Sequence, residues 1–113
     1  MNKSKISWED FKKIDIRVGT VLTAEPLEKA IKPAIKMSIN FSHLGILKTS
    51  AQITTIYKVE DLPGKQVLAV VNLPPKQITD FMSECLVLGL LGSNNEVTLI
   101  VPDQTVENGL RLG

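Results

Sequence analysis

Ile35, Met37, Ile39 and Phe41 alternate with Lys36, Ser38 and Asn40. A period of two kept over that length implies a strand with one face in a core and the other in water. The same period runs through Ile14, Ile16 and Val18 against Asp15 and Arg17, predicting a first strand over 14–22. Gly19 within it predicts a bulge or tight bend. Ser42-His43-Leu44-Gly45 reads as a turn, after which 46–53 returns as the hairpin partner of 34–41. Val67–Val71 is a continuous apolar run suited to a central strand, ended by Leu73-Pro74-Pro75. Phe81–Leu90 reads as one further strand, and Gly92-Ser93-Asn94-Asn95 as a turn into Val97–Val101. A short helix is predicted between Thr54 and Leu62, before Pro63-Gly64. Ser7-Trp8-Glu9-Asp10 opens an N-terminal helical appendage over 7–13, with Trp8 and Phe11 on one face. The expected class is therefore all-β, rich in strand with short helices. Five main strands and a bent first strand suit a Greek-key barrel of the oligonucleotide/oligosaccharide-binding (OB) type.

A chain of 113 residues is one domain's worth, and we expect a single domain over 1–113. A doubly wound nucleotide-binding fold or a (β/α) barrel does not fit this length. Apolar residues are 43% and charged residues 22%, a globular balance. The mean hydropathy of +0.11 is high for so small a protein, so apolar surface is left over for a dimer interface or a groove. Trp8 and Phe11 either plug the core or pack on another subunit, and we expect the latter. The single Cys85 excludes a disulfide framework and a cysteine-based zinc site. No uncharged run approaches the roughly 18 residues of a membrane span, and Met1–Phe11 holds no apolar leader segment. A reduced, cytoplasmic protein without membrane insertion is expected, and the Asn-x-Ser patterns at Asn2 and Asn40 then carry no meaning.

Charge is distributed unevenly. Residues 1–58 hold ten basic and five acidic side chains, and residues 59–113 hold three and seven. Between Glu28 and Glu60 there is no acid, yet Lys29, Lys32, Lys36, Lys48 and Lys58 all fall there. Such a stretch is either an ordinary solvated lysine surface or a face for an anionic partner. It coincides with the two strands whose face binds ligands in OB barrels, where Lys36, Ser38 and Asn40 share one face opposite the apolar one and Lys48 and Ser50 lie on the partner strand. Eleven Lys against two Arg favour contacts to phosphate over bidentate base reading. With aromatics at 4%, stacking platforms for a single strand are scarce, which favours a folded RNA. His43 reads as a surface turn residue and Cys85 as a buried thiol; neither belongs to a recognisable triad or metal set, so no catalytic residue, metal or cofactor is expected.

Three blocks stand in order: Asp15-Ile16-Arg17-Val18-Gly19, Asn72-Leu73-Pro74-Pro75-Lys76, and Ser83-Glu84 followed by Leu86-Val87-Leu88-Gly89. From about Phe11 to Gly113 the chain resembles the tRNA-binding domain found alone as a dimer or appended to aminoacyl-tRNA synthetases. Pro33-Ala34-Ile35-Lys36, Ser50-Ala51-Gln52-Ile53-Thr54 and Pro102-Asp103-Gln104 resemble its CsaA branch of secretion-related chaperones. The resemblance implies an OB barrel over about 11–113 that forms a homodimer through N- and C-terminal extensions. It implies tRNA as partner and, in that branch, unfolded preproteins and the export ATPase. By position Asn72, Lys76 and Ser83 would contact RNA, with Ser50 and Gln52 beside them and Lys32, Lys36 and Lys48 supplying charge. Asp15 and Arg17 are expected to pair within the barrel, and Asn72 has the alternative of capping a turn. The chain departs from the family where Gln77 follows Lys76, where Asp80 stands near a usual Gly, and where Cys85-Leu86 replaces Gly-Met. Each lost cation lowers affinity and flattens its salt dependence by roughly one unit of log–log slope.

Two readings follow. One is a non-catalytic, dimeric binder of folded tRNA. The other is a chaperone-like binder of extended apolar polypeptide, motivated by Leu86, Leu88, Leu90 and Leu91, which otherwise belong to core and dimer interface.

Overall fold

The computed structural model describes residues 4–113; Asn2, with its Asn-x-Ser pattern, lies outside the described residues. Nine strands are present among them: β1 Ile16–Pro26, β2 Ile35–Asn40, β3 Ile46–Ala51, β4 Gln66–Val70, β5 Lys76–Ile78, β6 Phe81–Ser83, β7 Leu86–Val87, β8 Gly89–Leu91 and β9 Val97–Leu99. A short helix, α1, spans Trp8–Lys12. Its first turn is held because the Ser7 hydroxyl accepts from the Asp10 N–H at 3.0 Å, the capping arrangement expected from its sequence.

The main sheet runs β3-β2-β1-β4-β7, antiparallel throughout. In β2 the alternation holds residue by residue: Ile35, Met37 and Ile39 are buried, Lys36, Ser38 and Asn40 half-buried. The sheet curls until β3 meets the segment after β6, giving a nearly closed five-stranded OB-like barrel. The seam is polar. The Glu84 N–H donates to the Lys48 carbonyl at 2.7 Å, the Lys48 N–H to Glu84 Oε1 at 2.8 Å, and the Thr49 hydroxyl to the Cys85 carbonyl at 2.8 Å.

β1 begins later and runs further than the alternation predicts, from Ile16 to Pro26, and Ile14 is left exposed. The register against β2 slips between Val21 and Thr23, so the bulge sits at Leu22 rather than at Gly19. Gly19 has a different task. A Cβ there would lie 2.6 Å from Ile39 Cγ2 and 2.8 Å from the Phe41 ring, so glycine lets β1 press onto the core.

The predicted strand over 81–90 is three short ones. β6 pairs with β5, β7 with β4, and β8 with β9. An apolar run carries no period to mark where the chain changes partner, and strand β5 follows two prolines that sequence reading takes only as a stop. The predicted helix over 54–62 reduces to a turn and one 3-10 turn at Val59–Asp61. Ile53 and Leu62 are both buried as anchors at its ends, and the β-branched Thr54, Thr55, Ile56 and Val59 between them disfavour helix. The C-terminal segment returns along β1: Gly109 N–H donates to the Val18 carbonyl, Val18 N–H to that of Leu110, and Leu112 N–H to that of Ile16. Trp8 does not plug the core; it is 82% exposed, while Phe11 is half-buried.

Replacing Gly19 by Ala should overpack this contact and destabilise the fold by about 1–3 kcal/mol. Urea unfolding reads the shift in midpoint, and an unchanged midpoint would contradict the close approach.

Candidate nucleic-acid interface

An open groove of about 1070 Å³ lies beside the barrel seam. One wall is the loop after β1, with Ala30, Ile31, Lys32 and Ala34; the end of β3 supplies Ser50, Ala51 and Gln52. The other wall is Leu73-Pro74-Pro75 and strand β5, with Thr79, Ser83, Cys85 and Leu86 completing it. Lys32, Ser50, Gln52, Lys76 and Ser83, scattered over four segments of sequence, are thereby brought together. Lys36, Lys48 and Asn72 do not line this groove. Lys36 and Lys48 stand instead on the outer face of β2 and β3, where Lys36 pairs with Ser50 and Ser38 with Lys48 across the strands.

Several of these side chains already have structural tasks. Asn72 Oδ1 accepts from the Asp15 N–H at 3.0 Å, and its Nδ2 donates to the Lys13 carbonyl at 2.6 Å. It clamps the entry to β1, a long-range task that differs from capping its own turn ahead of Pro74. Ser83 Oγ lies 3.2 Å from Thr49 Oγ1, accepts from the Ser50 N–H at 3.3 Å and donates to the Cys85 carbonyl at 3.3 Å. Arg17 bonds Asp15 at 2.7 Å and the Gly109 carbonyl at 2.9 Å, tying the first block to the C-terminal segment inside the fold.

The acid-free stretch is acid-free only along the chain. Antiparallel pairing sets Glu25 opposite Lys36, with 3.5 Å between charges. Asp80 meets Lys29 at 2.9 Å, and Glu84 lands on the backbone of Lys48. Each ion pair lowers the net charge of its neighbourhood. Among the described residues, Lys32, Lys48 and Lys76 make no ion pair. The groove therefore offers two unpaired ammonium groups over a mostly apolar lining, a chemistry for phosphate at the rim and apolar surface within. Sequence reading missed Ile31, Ile78 and Thr79 as groove residues, while the Asn72–Lys76 block marked the start of that wall and Lys76 within it.

Residues 16–111 match the family described as "Putative tRNA binding domain". Among solved structures, the chain is similar to the chaperone CsaA of Bacillus anthracis str. Ames. They are 44% identical with a TM-score of 0.93, covering 97% of this chain and 100% of that one. The CsaA chaperone protein of Picrophilus torridus is likewise 44% identical, with a TM-score of 0.89 over 96% of this chain and 100% of that one. The chain is 38% identical over 104 residues to a methionine–tRNA ligase of Porphyromonas gingivalis, covering 92% of this chain. It spans about 15% of the length of the methionine–tRNA ligases it matches.

Cys85 forms part of the groove's back wall and is buried. Burial pushes its thiol up from 9.0 to about 12, only partly offset by the Thr49 hydroxyl. The folded state thus holds the proton more tightly than the unfolded state. Stability from this group is complete below about pH 9 and falls by about 1.4 kcal/mol per pH unit as pH rises from there toward 12. Denaturant titrations at pH 8–10.5 should show that decline in the wild type and a flatter one in Cys85→Ala. Parallel declines would refute it.

Proposed function

This chain belongs to the tRNA-binding domain family, and we propose that it is a non-catalytic, homodimeric binder of tRNA that grips folded RNA through its phosphates. The observation that carries the reading is the convergence of Lys32 and Lys76 on one groove that Ser50 and Gln52 also line, neither lysine making an ion pair among the described residues. Lysine suits this task because it offers a mobile point charge and makes no demand on base identity. Two such groups neutralise few phosphates, so one copy binds weakly. A rigid dimer presenting two grooves to one tRNA gains by effective concentration. Exposed Ile6, Trp8, Leu110 and Leu112 support a second copy of the chain as the partner of the terminal segments. A cytoplasmic location goes with this reading, and among the described residues no helix is long and apolar enough to cross a membrane.

The apolar lining of the groove favours a second role in the same place. Ile31, Leu73, Pro74, Pro75 and Leu86 on its walls offer contacts to an extended polypeptide, and the similar CsaA structures are described as chaperones. Unfolded preproteins, and through them the export ATPase, are the partners this role would take.

Binding of total tRNA across a salt series, with a single strand of equal length as control, tests the first reading. Preferential tRNA binding is expected, with Lys32→Ala and Lys76→Ala each lowering the log–log salt slope by about one. Lys36→Ala should do less, since Glu25 already holds that charge. Equal affinity for both nucleic acids, or no effect of either groove lysine, would overturn it. Sedimentation at micromolar concentration should give a dimer that Trp8→Ala weakens. For the polypeptide role, the protein should delay aggregation of a denatured preprotein, and Leu73→Ser should abolish the delay; aggregation unaffected by the wild type rejects that role.

A further inference from the structure

The loop between β1 and β2 is firmly held at its ends and scarcely anywhere else. Leu27 and Ala34 are buried, and the Leu27 N–H donates to the Ala34 carbonyl at 3.0 Å. Between them, among the described residues, two polar contacts hold residues 28–33: the Ala30 N–H on the Leu27 carbonyl, and Lys29 Nζ on Asp80 Oδ2 at 2.9 Å. Ile31, near the tip, is 101% exposed although apolar groove surface lies beside it. Across the groove, Asp80 sits at the tip of the β5–β6 hairpin. Its neighbour Thr79 has φ of 55°, in the left-handed region that a β-branched residue seldom adopts. The Gln77 amide donates to the Thr79 carbonyl at 3.1 Å, and the Thr79 hydroxyl to Asp80 Oδ1 at 3.3 Å. One carboxylate oxygen is thus held by the hairpin while the other reaches over to Lys29.

We propose that the Lys29–Asp80 pair is a strap across the rim of the groove, which keeps the loop in place and one cation out of use until a phosphate-bearing ligand competes for Lys29. Both side chains are well exposed, and an exposed pair is weak enough for a phosphate to displace. Its geometry is specific all the same, since a strained hairpin tip aims the acid. Hydrogen bonding to Lys29 holds the Asp80 carboxyl below its ordinary range, and Asp80 holds the Lys29 ammonium above its own. Both charges persist at neutral pH, so the strap answers to competing anions there and not to protons. The ligand half of this proposal rests on the groove being the tRNA site; the strap itself does not.

The test uses Asp80→Asn, Lys29→Gln and the double variant, with two readouts. Without ligand, backbone 15N order parameters of residues 29–32 should fall in all three variants relative to wild type. Unchanged values in Asp80→Asn overturn the strap whether or not tRNA binds. In tRNA titrations over a salt series, Asp80→Asn should bind severalfold tighter at low salt, with a slope steeper by about one from the freed Lys29. The double variant should return to the wild-type slope. If it keeps the full gain of Asp80→Asn, the effect does not pass through Lys29 and the competition is overturned. A wild type that binds no tRNA overturns the RNA reading and the ligand half with it, while the order parameters still decide the strap.

Discussion

The Thr49 hydroxyl on the Cys85 carbonyl, 2.8 Å long, is the bond on which the barrel's closure turns. Thr49 is the one buried polar residue among the described residues, fully shielded from water. A hydroxyl buried in that way is costly unless it is bonded, and the bond it finds ties one edge strand of the sheet, β3, to the segment that leads into the other, β7. Ser83 and Glu84 extend the tie on either side. Once this seam is made, the β5–β6 hairpin must project beyond β3, and the groove is the space left between that hairpin and the loop after β1.

The same closure sorts the polar residues by task. Ser83 and Asn72 belong to motif blocks that resemble an RNA-binding family, yet both spend their hydrogen bonds on the protein's own backbone. Ser83 helps to build the groove, and Asn72 fixes the entry to β1 outside it. Motif residues of this kind report the shape of a site as much as its contacts. The charge pattern behaves likewise: antiparallel neighbours and a hairpin tip bring Glu25, Asp80 and Glu84 into a run of lysines that contains no acid of its own.

Apolar surface is the second resource of the molecule. Leu90 and Leu91 are exposed on the β8–β9 hairpin, Leu86 on the groove and Trp8 on the N-terminal helix, while Leu88 is half-buried. These side chains were candidates for core or interface, and the core does not take most of them. The barrel is instead filled by Val21, Ile35, Met37, Ile39, Phe41 and Val67, with Leu62 as a plug. Surface of this kind suits self-association and polypeptide contact alike, and it lies on elements separate from the lysines on the outer face of β2 and β3.

How much was legible in the sequence follows from the range of the forces involved. Period-two alternation is a local record of one-sided burial, so β2 could be read residue by residue, and the turn after it placed β3 as its partner, though β3 ends at Ala51 and buries Thr49. The capped helix and the turn at 92–95 were local as well. The strand pattern carried the barrel class, and the three motif blocks the family. Tertiary structure alone decided where the run from Phe81 to Leu90 changes partner, that Gly19 serves a close approach while the bulge falls at Leu22, and that a strand follows the prolines. It also decided which lysines stay unpaired. Hydrogen-bond partners and countercharges are chosen across long loops by closure of the barrel, and no local pattern of residues records a choice made at that distance.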